Sequence, residues 1–164
     1  MNLEWIELQD NDYKAVREIY DYYVFNTTVT FATSGSTLAG LKETIPAGHP
    51  KYKSFMIKSG GEVCGFCYLS QYRKRAAYDR TAEISVYLKP GFTGKGIGKQ
   101  TLEKLKTIAR ENGISVLLGV ITAENKQSVS LFEKCGFEKC AHFKKVGEKF
   151  NRLLDVVVYQ IILD

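Results

Sequence analysis

The sequence's most informative stretch is residues 93–98, TGKGIG, in which three glycines alternate with other residues. A strand-like run over 81–88 precedes it, and an amphipathic helical pattern over 96–112 follows it. Glycine lets a backbone take positive φ angles and approach a ligand closely. Backbone N–H groups at a helix N-terminus attract an anion. The spacing therefore predicts an anion-binding loop, flanked by Lys95 and Lys99.

Two known phosphate-binding motifs do not fit this loop. A P-loop would need glycine in place of Thr93 and serine or threonine in place of Gln100. The Rossmann pattern would need its third glycine in place of Lys99 or Thr101. The remaining alternative is a turn that binds nothing, but three glycines beside two lysines exceed what a turn requires.

Composition excludes several classes of protein. A chain of 164 residues, 45% of them hydrophobic, can bury one full core, which predicts a single domain over residues 1–164. The net charge of +5 is too small to indicate a nucleic-acid partner. The sequence contains no apolar run long enough to span a bilayer and no signal-peptide pattern at its start. We therefore expect a cytoplasmic protein without a membrane partner.

Cysteine and histidine patterns do not indicate metal or redox chemistry. Cys64 and Cys67 have C-x-x-C spacing, but they lie in a predicted strand, where residues three apart point to opposite faces. His49 and His142 belong to no ligand motif. We therefore expect no metal site.

Hydrophobic periodicity predicts alternating strands and helices. The predicted strands are 2–8, 53–58, 62–71, 81–88, 115–121, 137–146 and 153–162, with a last turn at 147–149. One helix follows 10–12, a second begins at 34–37 and stops at Pro46, a third covers 96–112, and a fourth runs from Asn125 to Gly136. Because a helix connects the strands at 81–88 and 115–121, the central strands must be partly parallel, which predicts an α/β fold.

Residues 93–98 also resemble the Q/R-x-x-G-x-G/A acetyl-CoA signature of the GCN5-related N-acetyltransferases (GNAT). Five further stretches resemble the phosphinothricin and methionine sulfoximine acetyltransferase branch: TTVTF at 27–31, RKRAAY at 73–78, EISVYL at 83–88, AEN at 123–125 and GEKFNRLLD at 147–155. The likeness covers nearly the whole chain. It implies the GNAT fold, an α/β (α+β) arrangement with a mixed sheet of about seven strands, about four helices, and two strands splayed apart at the acetyl-CoA site.

The resemblance implies acetyl-CoA as cosubstrate. Backbone groups of Val86 and Leu88 would pair with the pantetheine arm as an added strand, and Asn125 would reach it near the thiol. The cofactor-binding residues implied are Val86, Tyr87, Leu88, Thr93, Gly94, Lys95, Gly96, Ile97, Gly98, Lys99, Asn125 and Ser128. Thr93 departs from the Gln or Arg of the signature, so Lys95 or Lys99 would supply the charge.

Glu83 is the candidate base, because it shares a strand face with Ser85 and Tyr87 just before the implied cofactor residues. The N–H of Val86 would stabilise the oxyanion. Phe132 stands where the superfamily often has a tyrosine that protonates the leaving thiolate. Water, another side chain such as Ser128, or departure as thiolate remain alternatives.

The resemblance places the acceptor beside Arg73, Arg75 and Tyr78, and Phe31 would line its pocket. Guanidinium groups bind a carboxylate or phosphinate with two hydrogen bonds. The basic run RKR at 73–75 is also typical of a solvated loop. The leading hypothesis is N-acetylation of a small amino acid-like amine. The alternatives are acetylation of a protein N-terminus or lysine, and a non-catalytic coenzyme A sensor. By analogy we expect a homodimer with the C-terminal strands near its interface.

Overall fold

The computed structural model describes residues 2–164. Its strands are β1 Leu3–Glu7, β2 Ser54–Ser59, β3 Glu62–Gln71, β4 Thr81–Leu88, β5 Val116–Thr122, β6 Glu138–Lys149 and β7 Arg152–Ile162. Its α-helices are α1 Tyr13–Asn26, α2 Leu38–Thr44, α3 Ile97–Glu111 and α4 Lys126–Lys134. The predicted α/β fold and the order of its elements are confirmed.

All seven strands form one sheet in the order β1-β2-β3-β4-β5-β7-β6. Every neighbouring pair is antiparallel except β4 and β5, which are parallel. The sheet is mixed because α3 crosses over between β4 and β5, and such a crossover returns the chain in the same direction.

The sheet has a core on each face. One core packs α3 and α4 against the sheet, and it includes Leu102, Leu105 and Ile84. The other packs α1 and α2 against β2 and β3, and it includes Val16 and Phe66. On this second face, the part of the sheet formed by β5, β7 and β6 keeps apolar side chains exposed.

The helix after the glycine-rich loop begins as predicted. Gly96 caps α3 with φ +82°, a left-handed conformation that favours glycine. Leu102, Leu105 and Ala109 of its predicted apolar face are fully buried. Amphipathic periodicity and a glycine at the boundary therefore fix the direction in which α3 leaves the loop.

The parallel strands β4 and β5 separate early. Their pairing covers only Thr81–Glu83 and Val116–Leu118, and the register ends with Glu83 opposite Leu118. Both strands continue beyond that point, to Leu88 and Thr122, on their other neighbours. The result is the predicted gap between two central strands.

The last hairpin turns later than predicted. β6 runs through the predicted turn at 147–149, and the chain reverses at Phe150 and Asn151, with φ of +52° and +58°. Gly147 does not form the turn. A Cβ at this position would collide with the ring of Phe31, so the glycine accommodates a packing contact.

The prediction that Cys64 and Cys67 point to opposite faces is wrong. The pairing of β2 and β3 shifts between Ile57 and Lys58, which leaves Cys64 as an extra residue in β3. This bulge resets the alternation of side chains. Both side chains are therefore buried in the same core, beside α3. Their thiols are free.

Candidate active site

The gap exposes backbone groups of β4. The N–H of Lys89 donates to the carbonyl of Cys64 on β3, with an N···O distance of 2.8 Å. Hydrogen-bonded pairs alternate along an antiparallel ladder, so Tyr87 also bonds to β3, whereas the N–H groups of Val86 and Leu88 point toward β5. β5 has already separated there. These N–H groups are thus oriented as donors to an extended ligand in the gap.

The carbonyl oxygens beside these donors are not equally available. The hydroxyl of Tyr23 in α1 donates to the carbonyl oxygen of Leu88. Burial raises the pKa of Tyr23, so it stays a protonated donor. Val86 therefore presents a donor and an acceptor, while Leu88 presents chiefly its donor. No sequence pattern links Tyr23 to Leu88, and this contact could not have been predicted.

A cavity of ≈ 440 Å³ opens beside the gap. The predicted residues that line it are Val86, Tyr87, Leu88, Thr93, Gly94, Gly96, Gly98, Lys99, Asn125 and Ser128. A smaller cavity of ≈ 60 Å³ lies between the two strands, and the lining residues that it shares with the larger one are Val29, Val86, Tyr87, Asn125, Ser128 and Phe132. The two cavities are therefore neighbours that share one wall, the larger beside the glycine-rich loop and the smaller in the gap.

The loop itself presents backbone donors. Gly94 and Gly96 have φ of +72° and +82°, and the first N–H groups of α3 have no partner within the helix. The side chain of Ile97 is fully buried in the core, so only its backbone can face a ligand. Lys95 is absent from the cavity lining, and its ammonium lies 5.6 Å from the ring centroid of Phe92.

The start of α4 forms the opposite wall. The Asn125 side chain caps the helix, because Oδ1 accepts the N–H of Ser128 at 3.3 Å and Nδ2 donates to Ser128 Oγ at 3.0 Å. Ser128 Oγ already accepts a hydrogen bond, so its own hydrogen is free to donate into the cavity. Phe132 packs edge-to-face on Phe137, with 4.8 Å between ring centroids, and carries no proton to transfer.

Sequence analysis missed several residues of this wall. Gln127, Ser130, Leu131 and Lys134 of α4 line the larger cavity. They recur at helical spacing beside the Asn125 cap, which is the signal that could have found them.

Glu83 lies where the pairing of β4 with β5 ends. Burial raises the pKa of its carboxyl group, and the nearby charge of Arg73 partly opposes that rise. Glu83 lines neither cavity, whereas Ser85, two residues further along the same strand face, lines the smaller one. The carboxylate is thus near the gap but does not face the larger cavity.

The structure brings only part of the predicted acceptor set together. Arg73, Arg75 and Tyr78 are exposed on the connection between β3 and β4. Of the three, only Arg73 lies near enough to lower the pKa of Glu83. The Arg73 guanidinium stacks 5.1 Å from the Tyr72 ring centroid. Phe31 is half-buried on Gly147, on the opposite side of the gap. None of these four predicted residues lines either cavity.

Two further properties concern residues 2–164. They contain no cluster of three or more His, Cys, Asp or Glu side chains that could hold a metal ion. None of their helices combines the length and apolar character needed to cross a bilayer.

Comparison with known proteins gives the class of this fold and site. The model of the acetyltransferase (GNAT) family matches residues 4–137. The chain is 32% identical, over 155 residues, to an L-methionine sulfoximine/L-methionine sulfone acetyltransferase of Pseudomonas paraeruginosa, which covers 93% of this chain and 90% of the relative. It is also 32% identical, over 160 residues, to a phosphinothricin N-acetyltransferase of Alcaligenes faecalis, covering 93% of this chain and 79% of the relative.

A solved structure has the same fold with its ligand. The GNAT superfamily phosphinothricin acetyltransferase from Sinorhizobium meliloti, in complex with AcCoA, superimposes with a TM-score of 0.91. Its sequence is 28% identical, and the match covers 99% of this chain and 89% of that one. The chain belongs to the acetyltransferase (GNAT) family and is an enzyme of the acyltransferase class. The resemblance seen in its motifs is thereby confirmed.

Gly96→Ala tests the loop. A Cβ at φ +82° meets no neighbour, so the substitution acts through the backbone and should cost about 1 kcal/mol of unfolding free energy. We expect acetyl-CoA affinity, measured by calorimetry, to fall about tenfold as the loop's amides shift. Gly60→Ala is the control, because Gly60 has φ +57° in the turn between β2 and β3. Equal losses of affinity in both variants would contradict this assignment.

Proposed function

We propose that this enzyme transfers the acetyl group of acetyl-CoA to the primary amine of a small amino acid-like acceptor of the phosphinothricin or methionine sulfoximine type. The observation that carries the proposal is the gap between β4 and β5, where the N–H groups of Val86 and Leu88 face a cavity that begins at the glycine-rich loop. The names of the relatives support the acceptor class, because both acceptors are amino acid analogues.

The residues present fit acetyl-CoA. The pantetheine arm carries amides that can pair with Val86 and Leu88 as an added strand. Amides at Gly96 and Gly98 suit the diphosphate, and Lys99 adds positive charge within the cavity. When bound, acetyl-CoA supplies an activated thioester to the gap.

The chain's own groups then provide the rest of the chemistry. The amine attacks the thioester carbon, and Glu83 accepts its proton directly or through water. The N–H of Val86 stabilises the negative charge that develops on the carbonyl oxygen. Phe132 cannot donate a proton to the leaving sulfur, so the free hydrogen of Ser128 or water serves it, or coenzyme A departs as thiolate.

Arg73 and Arg75 are proposed to bind the anionic group of the acceptor. Among the ion pairs of residues 2–164, none includes either arginine, so both guanidiniums can accept a new partner. Tyr78 and Phe31 are proposed to line the acceptor pocket when the acceptor is bound.

Thiol release is the direct test of this function. Acetyl-CoA is mixed with a panel of amino acids, phosphinothricin, methionine sulfoximine and a lysine peptide, and free thiol is followed. We expect release with at least one small amino acid-like acceptor. Release with the peptide alone would favour a protein acetyltransferase. Binding of acetyl-CoA without thiol release on any amine would favour the non-catalytic sensor. Phe132 is the residue that favours this alternative, because it cannot donate a proton to the leaving sulfur.

We also propose a homodimer that uses the C-terminal strands. Val120, Phe143 and Ile162 are 52%, 50% and 61% exposed on the uncovered face of β5, β6 and β7. Exposed apolar patches of this kind mark interfaces. We expect a dimer in sedimentation and a monomer for Phe143→Glu. A monomeric native protein would contradict the proposal.

A cytoplasmic location and a single domain over residues 1–164 stay predictions.

Glu83→Gln tests the base. Because burial raises the pKa of Glu83, its charged form is disfavoured in the fold, and this group's contribution to stability falls as pH rises through that pKa. The amide should therefore keep or raise the melting temperature at pH 7 while kcat falls about 100-fold. Retention of the native pH–rate profile would remove Glu83 from the mechanism.

Arg73→Ala tests the coupling between the two charges. Arg73 lowers the pKa of Glu83, so its loss should move the acidic limb of the kcat profile to higher pH. The profile is measured at saturating acceptor, which separates this effect from acceptor binding. A limb that stays in place, or moves to lower pH, would contradict the coupling.

Arg75→Ala should raise the acceptor KM about tenfold and leave the KM of acetyl-CoA nearly unchanged, because only the anionic group of the acceptor loses a partner. Arg17→Ala, an exposed arginine of α1, is the matched control. The reverse pattern would place Arg75 with the phosphates of coenzyme A instead.

A further inference from the structure

Residues 27–33, which we call the cover segment, link α1 to the chain leading into α2 without regular structure. Val29 of this segment lines both cavities, in the wall that they share. The position of Val29 therefore affects the space in both cavities. The flanking residues determine that position, because Val29 has no strand or helix of its own.

The residue before Val29 is held from two sides. Thr122, at the end of β5, donates its hydroxyl hydrogen to the carbonyl of Thr28 at 2.6 Å. The hydroxyl of Thr28 donates to the carboxylate of Glu124, which also accepts two hydrogen bonds of 3.0 and 2.9 Å from Arg152 at the start of β7. These contacts lower the pKa of Glu124 to about 2, so the pair stays charged at neutral pH.

The residue after Val29 is held by a buried lysine. Lys149, 3% exposed at the end of β6, donates from Nζ to the carbonyl of Thr30 at 2.8 Å. The hydroxyls of Tyr20 and Thr30 lie 2.7 Å apart. The ring of Phe31 fills the space left by Gly147. The cover segment is thus attached to both strands of the last hairpin.

The cost of this arrangement indicates a role beyond stability. Burial lowers the pKa of Lys149. One carbonyl bond and the ring of Phe150, whose centroid lies 5.2 Å from Nζ, offset the penalty of burying the charge only in part. Phe150 and Asn151 also adopt positive φ, which is uncommon for residues other than glycine. Such features persist where the surrounding structure over-determines them, and they are frequent at functional sites.

We propose that Lys149 and the Glu124–Arg152 pair are positioning residues that hold Val29 in the wall shared by the two cavities and so fix the space in which amine and thioester meet. This inference rests on the proposed acetyl transfer. Neither group needs to touch a reactant, because Lys149 acts through the backbone carbonyl of Thr30 and the Glu124–Arg152 pair acts through the hydroxyl of Thr28.

Lys149→Met is the first test, with Lys106→Met as control. Lys106 is also a buried lysine, 6% exposed, that donates to a backbone carbonyl, but it lies in α3 and bonds Cys135 and Glu103. We expect Lys149→Met to lower kcat about tenfold or more, with acetyl-CoA affinity within about twofold of native and an unchanged or higher melting temperature. Lys106→Met should leave kcat near native.

Amide hydrogen exchange provides a readout independent of turnover. The N–H groups of Val29 and Ala32 bond hydroxyls within the cover segment, 3.2 and 3.4 Å away. Their exchange should become at least about fivefold faster in Lys149→Met and stay unchanged in Lys106→Met.

Arg152→Gln is a second variant that is expected to fold, because the ion pair with Glu124 is exposed. It should lower kcat in the same direction, whereas Arg80→Gln, which breaks the exposed pair with Asp164, should not. Native kcat and native exchange in Lys149→Met and Arg152→Gln would overturn the inference, as would equal losses of kcat in each variant and its control. An inactive native enzyme would instead refute the proposed function, while hydrogen exchange would still test the attachment.

Discussion

The parallel pairing of β4 and β5 lasts three residues, and the hydrogen bonds that the two strands do not make to each other define the site. Backbone N–H and C=O groups inside a protein need partners. Those of Val86 face a space that the sheet leaves open, while Tyr23 occupies the carbonyl of Leu88. The sheet thus offers an unfilled strand position, and an extended chain of amides is the ligand that matches it.

The surrounding elements can each be understood from this gap. α3 directs its glycine-rich start to one end, α4 places Asn125 and Ser128 along the side, and the cover segment places Val29 in the wall of both cavities. Glu83 stands where the pairing stops, and burial keeps its carboxyl group easier to protonate than usual. One interruption in a ladder therefore places a candidate base near the cavities without making it part of their lining.

The sequence predicted those parts of the fold that local chemistry determines. Periodicity and a boundary glycine located α3, and β4 runs over the predicted residues. Local patterns failed where a distant partner decides: Gly147 accommodates Phe31 rather than a turn, and the bulge at Cys64 depends on the pairing with β2. The gap was expected only from the family resemblance, since its length depends on three-dimensional pairing. The contacts of Tyr23, Lys149 and Arg152 join residues far apart in sequence. The stretches TTVTF, AEN and GEKFNRLLD contain the partners of Lys149 and Arg152, but their sequences do not indicate that these residues meet.

Hydrogen exchange at single amides of β4, with and without acetyl-CoA, tests the central claim most directly. The N–H groups of Val86 and Leu88 should exchange at least about tenfold more slowly in the complex, while that of Tyr87, already bonded to β3, should change little. Saturating binding that leaves Val86 and Leu88 exchanging at their free rates would contradict the account.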